Sequence, residues 1–304
     1  MTELRRIPLS TGVTLNVALA GREAAPPVIL LHGFPESHRT WRGVVPLLAD
    51  RFRLVMPDLR GFGASDQPQE LEAYATDKLV ADIFALADAL GIDRFALVGH
   101  DWGGATAWAA AIRGNRRVER LAIVNSPHPL VFQRSLIENP EQRAASQYIS
   151  AFRTPGFERA IEAMDYDTFL AKTFTPHVDL DAIPAEERAR YVADWSKTGG
   201  MTAMLNWYRA SQMLVPAPGA AAEMPEWVSR GVPKIEIPVM VVWGMKDRAL
   251  LPLQIDGLDA QCTDLTVVRL PDAGHFAPWE APQAVADALL PFLAGEEAAT
   301  ARRP

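Results

Sequence analysis

The chain has 304 residues, and 49% of them are hydrophobic, which is enough to fill a large core and excludes a disordered or fibrous protein. A formal net charge of −7 at pH 7 leaves no basic excess to neutralise phosphates, so we expect no nucleic-acid partner. The single cysteine, Cys262, cannot form an internal disulfide, and no Cys and His residues show zinc-ligand spacing. No metal or organic cofactor is therefore predicted.

The sequence contains no pattern typical of membrane insertion. Its N-terminus lacks an apolar signal segment, and no stretch reaches the roughly 18 apolar residues that a membrane helix needs. We therefore predict a cytoplasmic protein without a membrane partner.

Short apolar runs alternate with helical patterns at both ends of the chain. Strands are predicted near residues 13–17, 28–31, 52–56, 95–98, 121–124, 239–243 and 265–270. Apolar residues at helical spacing predict two helices, one across residues 79–90 and one across residues 285–292. This alternation predicts an α/β fold with a mainly parallel sheet that helices cover on both faces.

The middle of the chain differs from both ends in its composition and its residue pattern. Residues 131–231 are rich in charged and aromatic side chains, show no convincing strand pattern, and end near an Ala, Pro and Gly-rich stretch at 216–224 that resembles a linker. We predict that residues 131–231 form a helical cap inserted into a core of residues 1–130 and 232–296. Residues 297–304 are predicted to be a disordered tail.

The strand at 95–98 leads into Gly99-His100-Asp101-Trp102-Gly103-Gly104 and then into an alanine-rich helix. A strand, a sharp turn and a helix in this order are typical of a nucleophile elbow. The central Asp101 is already ionised near neutral pH, so it can attack a saturated carbon without a base and form an ester that water must cleave. The alternative interpretation is that Asp101 only caps its helix.

An oxyanion hole is predicted beside this nucleophile. The residues His32-Gly33-Phe34-Pro35 follow an apolar strand, where hydrolases with a nucleophile elbow place one oxyanion donor. The backbone amides of Phe34 and Trp102 could therefore converge on one oxygen. The tight turn also predicts a cis peptide bond before Pro35.

A base and an acid are predicted farther along the chain. Of the six histidines, only His275 follows the last predicted strand, which makes it the candidate base. Asp247 follows the strand at 239–243 and could hold the imidazole tautomer. The competing position for this acid, at the end of the strand at 121–124, carries Asn125, which has no charge.

Four motifs resemble those of the soluble epoxide hydrolase family, which has the α/β-hydrolase fold. They are His-Gly-Phe-Pro-Glu at 32–36, Asp-Leu-Arg-Gly-Phe-Gly at 58–63, Gly-His-Asp-Trp-Gly-Gly at 99–104 and Asn-Ser-Pro-His-Pro at 125–129. The segments around Tyr148 and Tyr208 resemble the two lid segments that give that family its paired tyrosines. The resemblance implies that an epoxide is converted to a vicinal diol through an ester on Asp101, with both phenols hydrogen-bonded to the epoxide oxygen.

The same resemblance implies a lipophilic epoxide and water as partners, bound by a monomer or a homodimer. The predicted substrate pocket consists of His32, Gly33, Pro35, His100, Phe152 and Trp207. The large aromatic side chains among them favour a lipophilic or aryl substrate, although ordinary core packing explains them equally well.

Two other functions remain open from the sequence. A dehalogenase would share the Asp nucleophile, but haloalkane dehalogenases commonly carry Asn where Phe34 stands, and fluoroacetate dehalogenases carry Arg where Trp102 stands. A non-catalytic ligand-binding protein could keep the pocket without turnover. The presence of Asp101, Asp247 and His275 together argues against it.

Overall fold

The computed structural model describes residues 2–296 and is built around an eight-stranded sheet. The strands are β1 (Glu3–Pro8), β2 (Thr14–Ala20), β3 (Pro27–Leu31), β4 (Arg53–Pro57), β5 (Phe95–His100), β6 (Val118–Val124), β7 (Val239–Gly244) and β8 (Leu265–Leu270). Their spatial order is β1-β2-β4-β3-β5-β6-β7-β8. Strand β2 pairs antiparallel with both β1 and β4, and all other pairs are parallel.

The helices fall into a group that flanks the sheet and a group inserted between β6 and β7. The flanking helices are α1 (Val45–Leu48), α2 (Thr76–Ala89), α3 (Trp102–Ile112), α12 (Ala277–Glu280) and α13 (Pro282–Ala294). The inserted helices are α4 (Pro129–Glu138), α5 (Pro140–Ala145), α6 (Gln147–Arg153), α7 (Phe157–Met164), α8 (Tyr166–Phe174), α9 (Ala185–Trp195), α10 (Gly200–Ala210) and α11 (Glu226–Arg230). Short 3-10 turns occupy His38–Trp41, Leu71–Tyr74, Leu180–Ala182, Pro252–Ile255 and Leu258–Ala260.

Two apolar clusters sandwich the sheet. Residues of α2 and α3 pack on one face together with residues of the inserted helices, and residues of α1 and α13 pack on the other. Strands β5 and β7 are buried along their whole length, because helices cover both of their faces. Their uninterrupted apolar runs reflect this double burial, and the predicted α/β fold with a mainly parallel sheet is confirmed.

The first strand was not predicted. We expected the sheet to begin near Val13, but β1 precedes that residue and pairs along its whole length with β2. Its sequence is largely charged, and five of its six residues are exposed, as suits a strand at the edge of a sheet. The alternation of apolar and polar residues that predicts a half-buried strand is therefore absent from this segment.

The inserted helices α5–α11 lie within the region for which a helical cap was predicted, whereas α4 begins two residues before it, at Pro129. The division of the chain into a cap and a core at residues 131 and 231 stays a prediction, and the predicted tail at 297–304 lies outside the described residues. Between residues 2 and 296, no helix combines the length and the apolar character that crossing a membrane requires.

Aromatic donors attach the inserted helices to the core. The indole Nε1 of Trp195 donates to the carbonyl oxygen of Pro35 at 2.7 Å, and that of Trp207 donates to the carbonyl oxygen of Arg60 at 2.9 Å. The Tyr191 hydroxyl donates to the Glu36 carboxylate at 2.9 Å. Each of these side chains is buried, so the bonds fix α9 and α10 over the carboxyl edge of the sheet.

A buried ion pair joins the segment after β4 to α2. The Arg60 guanidinium donates to both oxygens of Asp82, at 2.8 and 2.6 Å, and to the carbonyl oxygen of Ala73 at 3.0 Å. The two side chains of the pair are only 5% and 6% exposed. Removing one partner of such a pair leaves the other charge buried without compensation.

We predict that Arg60→Met lowers the free energy of unfolding by about 3–5 kcal/mol, because the Asp82 carboxylate loses its partner. Urea denaturation measures this change, and the double variant Arg60→Met/Asp82→Leu should recover part of it. The matched control is Arg94→Met, which removes an ion pair with Glu119 whose side chains are 59% and 46% exposed. That control should cost less than about 1 kcal/mol. Equal losses in the two single variants would contradict the prediction.

Candidate active site

Asp101 stands at a strained turn between β5 and α3. Its backbone has φ 49° and ψ −120°, which residues with a side chain rarely adopt, and its side chain makes no capping hydrogen bond to the helix. The interpretation of Asp101 as a helix cap is therefore wrong. Glycine is required beside it, since a Cβ on Gly99 would lie 2.5 Å from the carbonyl oxygen of Gly103.

The loop after β3 touches the Asp101 side chain directly. The amide of Phe34 donates to Asp101 Oδ1 at 2.7 Å, and the backbone amide of Trp102 lies close enough to the carboxylate to lower its pKa. A Cβ on Gly33 would lie 2.3 Å from the Cβ of Asp101, so only glycine permits this approach. The peptide bond between Phe34 and Pro35 is cis, as predicted. The structure thus brings the two predicted oxyanion donors onto the same carboxylate.

His275 lies between two carboxylates. Its Nε2 is 3.7 Å from Asp101 Oδ2, and its Nδ1 donates to Asp247 Oδ2 at 2.8 Å. The three side chains come from the ends of β5, β7 and β8, as the sequence predicted for a nucleophile, an acid and a base. They form one connected group at the carboxyl edge of the sheet.

Asp247 is held by donors on both of its oxygens. The amides of Ala249 and Leu250 donate to Oδ1, each at 2.9 Å, while the Asn125 Nδ2 donates to Oδ2 at 2.8 Å. Asn125 was considered only as a position without charge, so its role as a donor to the acid was missed. The available signal was a polar residue directly after a buried central strand. Its φ of 43° is one that Asn tolerates better than most residues.

The charged side chains of this group shift one another's pKa values. Burial lowers the pKa of His275, but the Asp247 charge, its hydrogen bond and the Asp101 charge outweigh burial and raise that pKa to about 9. Burial raises the pKa of Asp101, although the charge of His275 and the two amide donors oppose this effect. In Asp247, burial also acts to raise the pKa, but the charge and hydrogen bond of His275 lower it overall. With a pKa of about 9, His275 is protonated near pH 7 and lies between the Asp101 and Asp247 side chains.

Tyr148 on α6 and Tyr208 on α10 face Asp101 from the inserted helices. Their ring centroids lie 6.1 Å apart, and both line the cavities that contain Asp101. Burial is the main cause that raises the pKa of each phenol, and the negative charge of Asp101 adds to it. Both phenols are therefore neutral hydrogen-bond donors near pH 7.

Arg153 ties the two tyrosine-bearing helices together. It lies at the end of α6, and its guanidinium donates to the carbonyl oxygens of Tyr208, Ser211 and Met213 at 2.8 to 2.9 Å. These acceptors lie at and just beyond the end of α10, where backbone carbonyls have no helical partner. The relative position of the two phenols thus depends on a half-buried arginine that the sequence did not reveal.

Two cavities meet at Asp101, Tyr148 and Tyr208. The smaller cavity, of about 390 Å³, is also lined by Phe152 and His275, and the larger cavity, of about 710 Å³, by Trp102 and Trp207. The walls are mostly apolar, which suits an uncharged organic group near the reacting atoms. The predicted pocket residues Phe152 and Trp207 therefore do face these spaces.

Four predicted pocket residues lie elsewhere: His32, Gly33, Pro35 and His100 are not in the wall of either cavity. The fully buried His32 ring bonds to the Leu59 amide and to the carbonyl oxygen of Gly33. His100 Nε2 donates to the carbonyl oxygen of His275 at 2.8 Å. The two histidine rings thus hold backbone segments behind the site and do not face the substrate space.

Comparison with known proteins agrees with this geometry. Residues 26–282 match the family model of the alpha/beta hydrolase fold. The chain is 34% identical to the AB hydrolase superfamily protein YfhM of Bacillus subtilis, over 93% of the chain and 96% of that protein. It is 31% identical to Epoxide hydrolase A of Mycobacterium tuberculosis, over 96% of the chain and 98% of that protein.

A solved structure of the same superfamily is also similar to this chain. It belongs to a set described as novel epoxide hydrolases of the alpha/beta hydrolases superfamily in metagenomes from hot environments. It aligns with a TM-score of 0.88 and 45% identity, over 97% of this chain and 99% of that one. The resemblance that the motifs indicated is thereby confirmed. The chain is a hydrolase, and it belongs to the epoxide hydrolase family of the alpha/beta hydrolase fold.

Proposed function

We propose that this enzyme converts an epoxide to a vicinal diol through a covalent ester on Asp101. The observation that carries the proposal is the position of the Asp101 carboxylate, which faces two neutral phenols across a mostly apolar space. Relatives named epoxide hydrolases cover nearly the whole chain, which supports this chemistry. No step requires a metal or an organic cofactor.

Ester formation is the first step. Tyr148 and Tyr208 donate hydrogen bonds to the epoxide oxygen, while Asp101 Oδ2 attacks one ring carbon. The new bond joins Oδ2 to that carbon as its bond to the ring oxygen breaks, and the departing alkoxide takes a proton from a tyrosine. The imidazolium of His275 replaces that proton, which leaves His275 neutral. Oδ1, which the Phe34 amide holds, becomes the carbonyl oxygen of the ester.

Ester hydrolysis is the second step. Neutral His275, oriented by Asp247, takes a proton from a water molecule that attacks the ester carbonyl carbon. The amides of Phe34 and Trp102 stabilise the oxyanion that forms. The tetrahedral intermediate then expels the diol oxygen, which receives the proton from His275. Asp101 finally returns its carboxyl proton to His275, which restores the starting charges.

The contacts of Trp102 favour an epoxide over a halide as the substrate. A dehalogenase that shares the Asp nucleophile would use the indole of Trp102 to hold the departing halide, but here that indole packs edge-on against the Tyr208 ring, with ring centroids 5.0 Å apart. At position 34, where haloalkane dehalogenases commonly carry Asn, this chain has Phe34. Its side chain is an aromatic ring that packs against Tyr208 with ring centroids 5.1 Å apart. A diol-formation assay run beside a halide-release assay on matched substrates distinguishes the two functions, and release of halide without diol formation would favour the dehalogenase.

We predict that His275→Gln accumulates the ester, because attack by Asp101 needs no histidine and solvent can return the proton that the tyrosine gives up, whereas hydrolysis needs the imidazole as its base. Intact-mass spectrometry should show the protein mass increased by the mass of one epoxide. The control is Asp101→Asn, which should stay unmodified under the same conditions. An unmodified His275→Gln protein, with an epoxide that the wild type converts, would show that the two-step scheme is wrong.

Loss of the phenols should slow ester formation specifically. We predict that Tyr148→Phe and Tyr208→Phe each reduce its rate, and that a positioned proton donor of this kind contributes about 10²–10⁴-fold. Rapid-quench measurement of the protein-bound ester follows this step directly. Tyr166→Phe is the matched control, since Tyr166 lies on α8 but lines neither cavity. An equal loss in the control variant would assign the effect to packing.

The two steps should differ in their pH dependence. Ester formation needs ionised Asp101, so its rate should fall as the pH decreases through the pKa of that carboxyl, which burial raises. Hydrolysis needs neutral His275, so its rate should rise with pH. The pKa of His275 is about 9 before reaction, and esterification removes the Asp101 charge that contributes to it. In single-turnover kinetics the pH at which the hydrolysis rate is half of its maximum should therefore lie below 9. A value at or above 9 would contradict this scheme.

A further inference from the structure

Glu280, at the end of the short helix α12, binds the backbone on both sides of His275. Its Oε2 accepts a hydrogen bond from the Gly274 amide at 2.8 Å, and its Oε1 accepts one from the Phe276 amide at 2.7 Å. The loop passes close to this carboxylate, since a Cβ on Gly274 would lie 3.1 Å from Oε2. One side chain therefore holds the two amides that flank the proposed base.

A second side chain holds the same segment from the other end of one peptide unit. His100 Nε2 donates to the carbonyl oxygen of His275 at 2.8 Å. That carbonyl belongs to the peptide bond whose amide, on Phe276, donates to Glu280. The peptide unit between His275 and Phe276 is thus bonded at its oxygen and at its nitrogen. Because hydrogen bonds weaken steeply when their angle is distorted, this unit cannot rotate without losing one of them.

Helix capping accounts for only one of the two Glu280 contacts. An acid in the first turn that reaches back to the amide of the N-cap residue is typical of a helix start, and Phe276 is the N-cap of α12. Gly274 precedes that residue by two positions and lies outside the helix, so capping gives no reason for the bond to its amide. The second contact extends the hold of Glu280 across His275.

Helix α12 is itself anchored to the loop that carries the proposed oxyanion donor. The indole Nε1 of Trp279, next to Glu280, donates to Glu36 Oε1 at 3.0 Å, and Glu36 lies two residues after Phe34. The Tyr191 hydroxyl on α9 donates to the same oxygen of Glu36 at 2.9 Å. Glu280 therefore extends from a helix that is attached both to the oxyanion loop and to an inserted helix.

We propose that Glu280 is a positioning residue for the second step of the reaction, the hydrolysis of the ester. This inference rests on the proposed function and assigns a further residue to it. Glu280 lines neither cavity, so it acts through His275 and not on the substrate. The imidazole that it positions has Nδ1 bonded to Asp247 at 2.8 Å and Nε2 at 3.7 Å from Asp101 Oδ2. A shift of the His275 backbone changes both distances.

The two steps depend unequally on the position of His275. Asp101 attacks the epoxide without help from the imidazole, whereas water attacks the ester only when the imidazole takes its proton. A misplacement of about 1 Å can slow such a step by about 100-fold. Loss of Glu280 should therefore slow hydrolysis and leave ester formation nearly unchanged.

The experiment measures the two steps separately in Glu280→Ala and Glu280→Gln, with styrene oxide or another aryl epoxide that the wild type converts. Rapid quench follows ester formation, and the decay of the ester in a single turnover follows hydrolysis. Glu280→Ala should hydrolyse the ester about 10–100-fold more slowly than the wild type, at a nearly unchanged rate of ester formation. Glu280→Gln keeps one acceptor oxygen and should show a smaller loss.

Steady-state kinetics provide a readout that loss of folded protein does not imitate. Because kcat/KM reports the steps up to ester formation, kcat and KM should fall by similar factors when hydrolysis limits turnover. A partly unfolded enzyme would instead lose kcat at constant KM. The matched control is Asp272→Asn, which removes an acid three residues before His275. The Asp272 side chain is 94% exposed and pairs with Lys246 at 2.9 Å, so this variant should keep the rates of both steps.

The outcomes separate this inference from the function on which it rests. Hydrolysis at the wild-type rate in Glu280→Ala, or an equal loss in both steps, would overturn the positioning role alone. Equally slow hydrolysis in Asp272→Asn would overturn it in favour of a general effect of charge in the loop. If Glu280→Ala does not fold, Glu280→Gln decides by the same criteria. If no epoxide forms an ester with the wild type or with His275→Gln, the proposed function fails, and the positioning role fails with it.

Discussion

The close approach of two backbone loops around Asp101 is the constraint on which the rest of the site depends. The loop after β3 and the turn after β5 touch where Gly33 meets the Asp101 side chain, and where Gly103 meets the carbonyl oxygen of His32. A Cβ at either glycine would overlap atoms of the other segment, at 2.3 and 2.4 Å. The positive φ of Asp101 costs of the order of 1–3 kcal/mol. The paired, buried strands β3 and β5 hold this strained arrangement in place.

The order of the strands explains why so many functional groups meet at one edge. Strand β3 lies between β4 and β5, so the chain leaves β3 toward one side of the sheet and leaves β5 toward the other. A crevice opens at the carboxyl ends where the direction of winding reverses. The proposed oxyanion donor, the Phe34 amide, and the proposed nucleophile, Asp101, follow the two strands at this point. Asp247 and His275 reach it from the ends of β7 and β8.

This arrangement also decides what the sequence could predict. Asp101 follows its strand directly, Asp247 and His275 lie in the loops just after theirs, and parallel strands bring their carboxyl ends to one edge, so strand assignment was enough to bring the three together. Tyr148 and Tyr208 lie on helices whose packing no local pattern encodes. Their position relative to Asp101 depended on a family resemblance.

The errors of prediction at individual residues have a common physical cause: a sequence pattern does not give the direction or the contacts of a side chain. Membership of a motif does not tell which way a side chain points, so His32 and His100 were predicted to face the substrate although both bond to backbone atoms behind the site. Asn125 was set aside because it has no charge, yet it donates a hydrogen bond to the acid. Glu280 was not considered from the sequence, and only the structure shows that both of its oxygens bind amides beside His275.

The electrostatics of the site suggest how the proposed steps keep their order. In the proposed scheme His275 is protonated before reaction, because the charges of Asp247 and Asp101 raise its pKa, and an imidazolium cannot take a proton from water. It therefore cannot activate water while Asp101 is a free carboxylate, and the substrate meets a nucleophile rather than hydroxide. Esterification makes Asp101 neutral and leaves Asp247 as the carboxylate bonded to His275. The pKa of His275 then falls, since one of the two charges that raised it is gone. In the proposed scheme the base thus becomes active only when there is an ester to cleave, so a single change of charge on Asp101 ends the first step and permits the second.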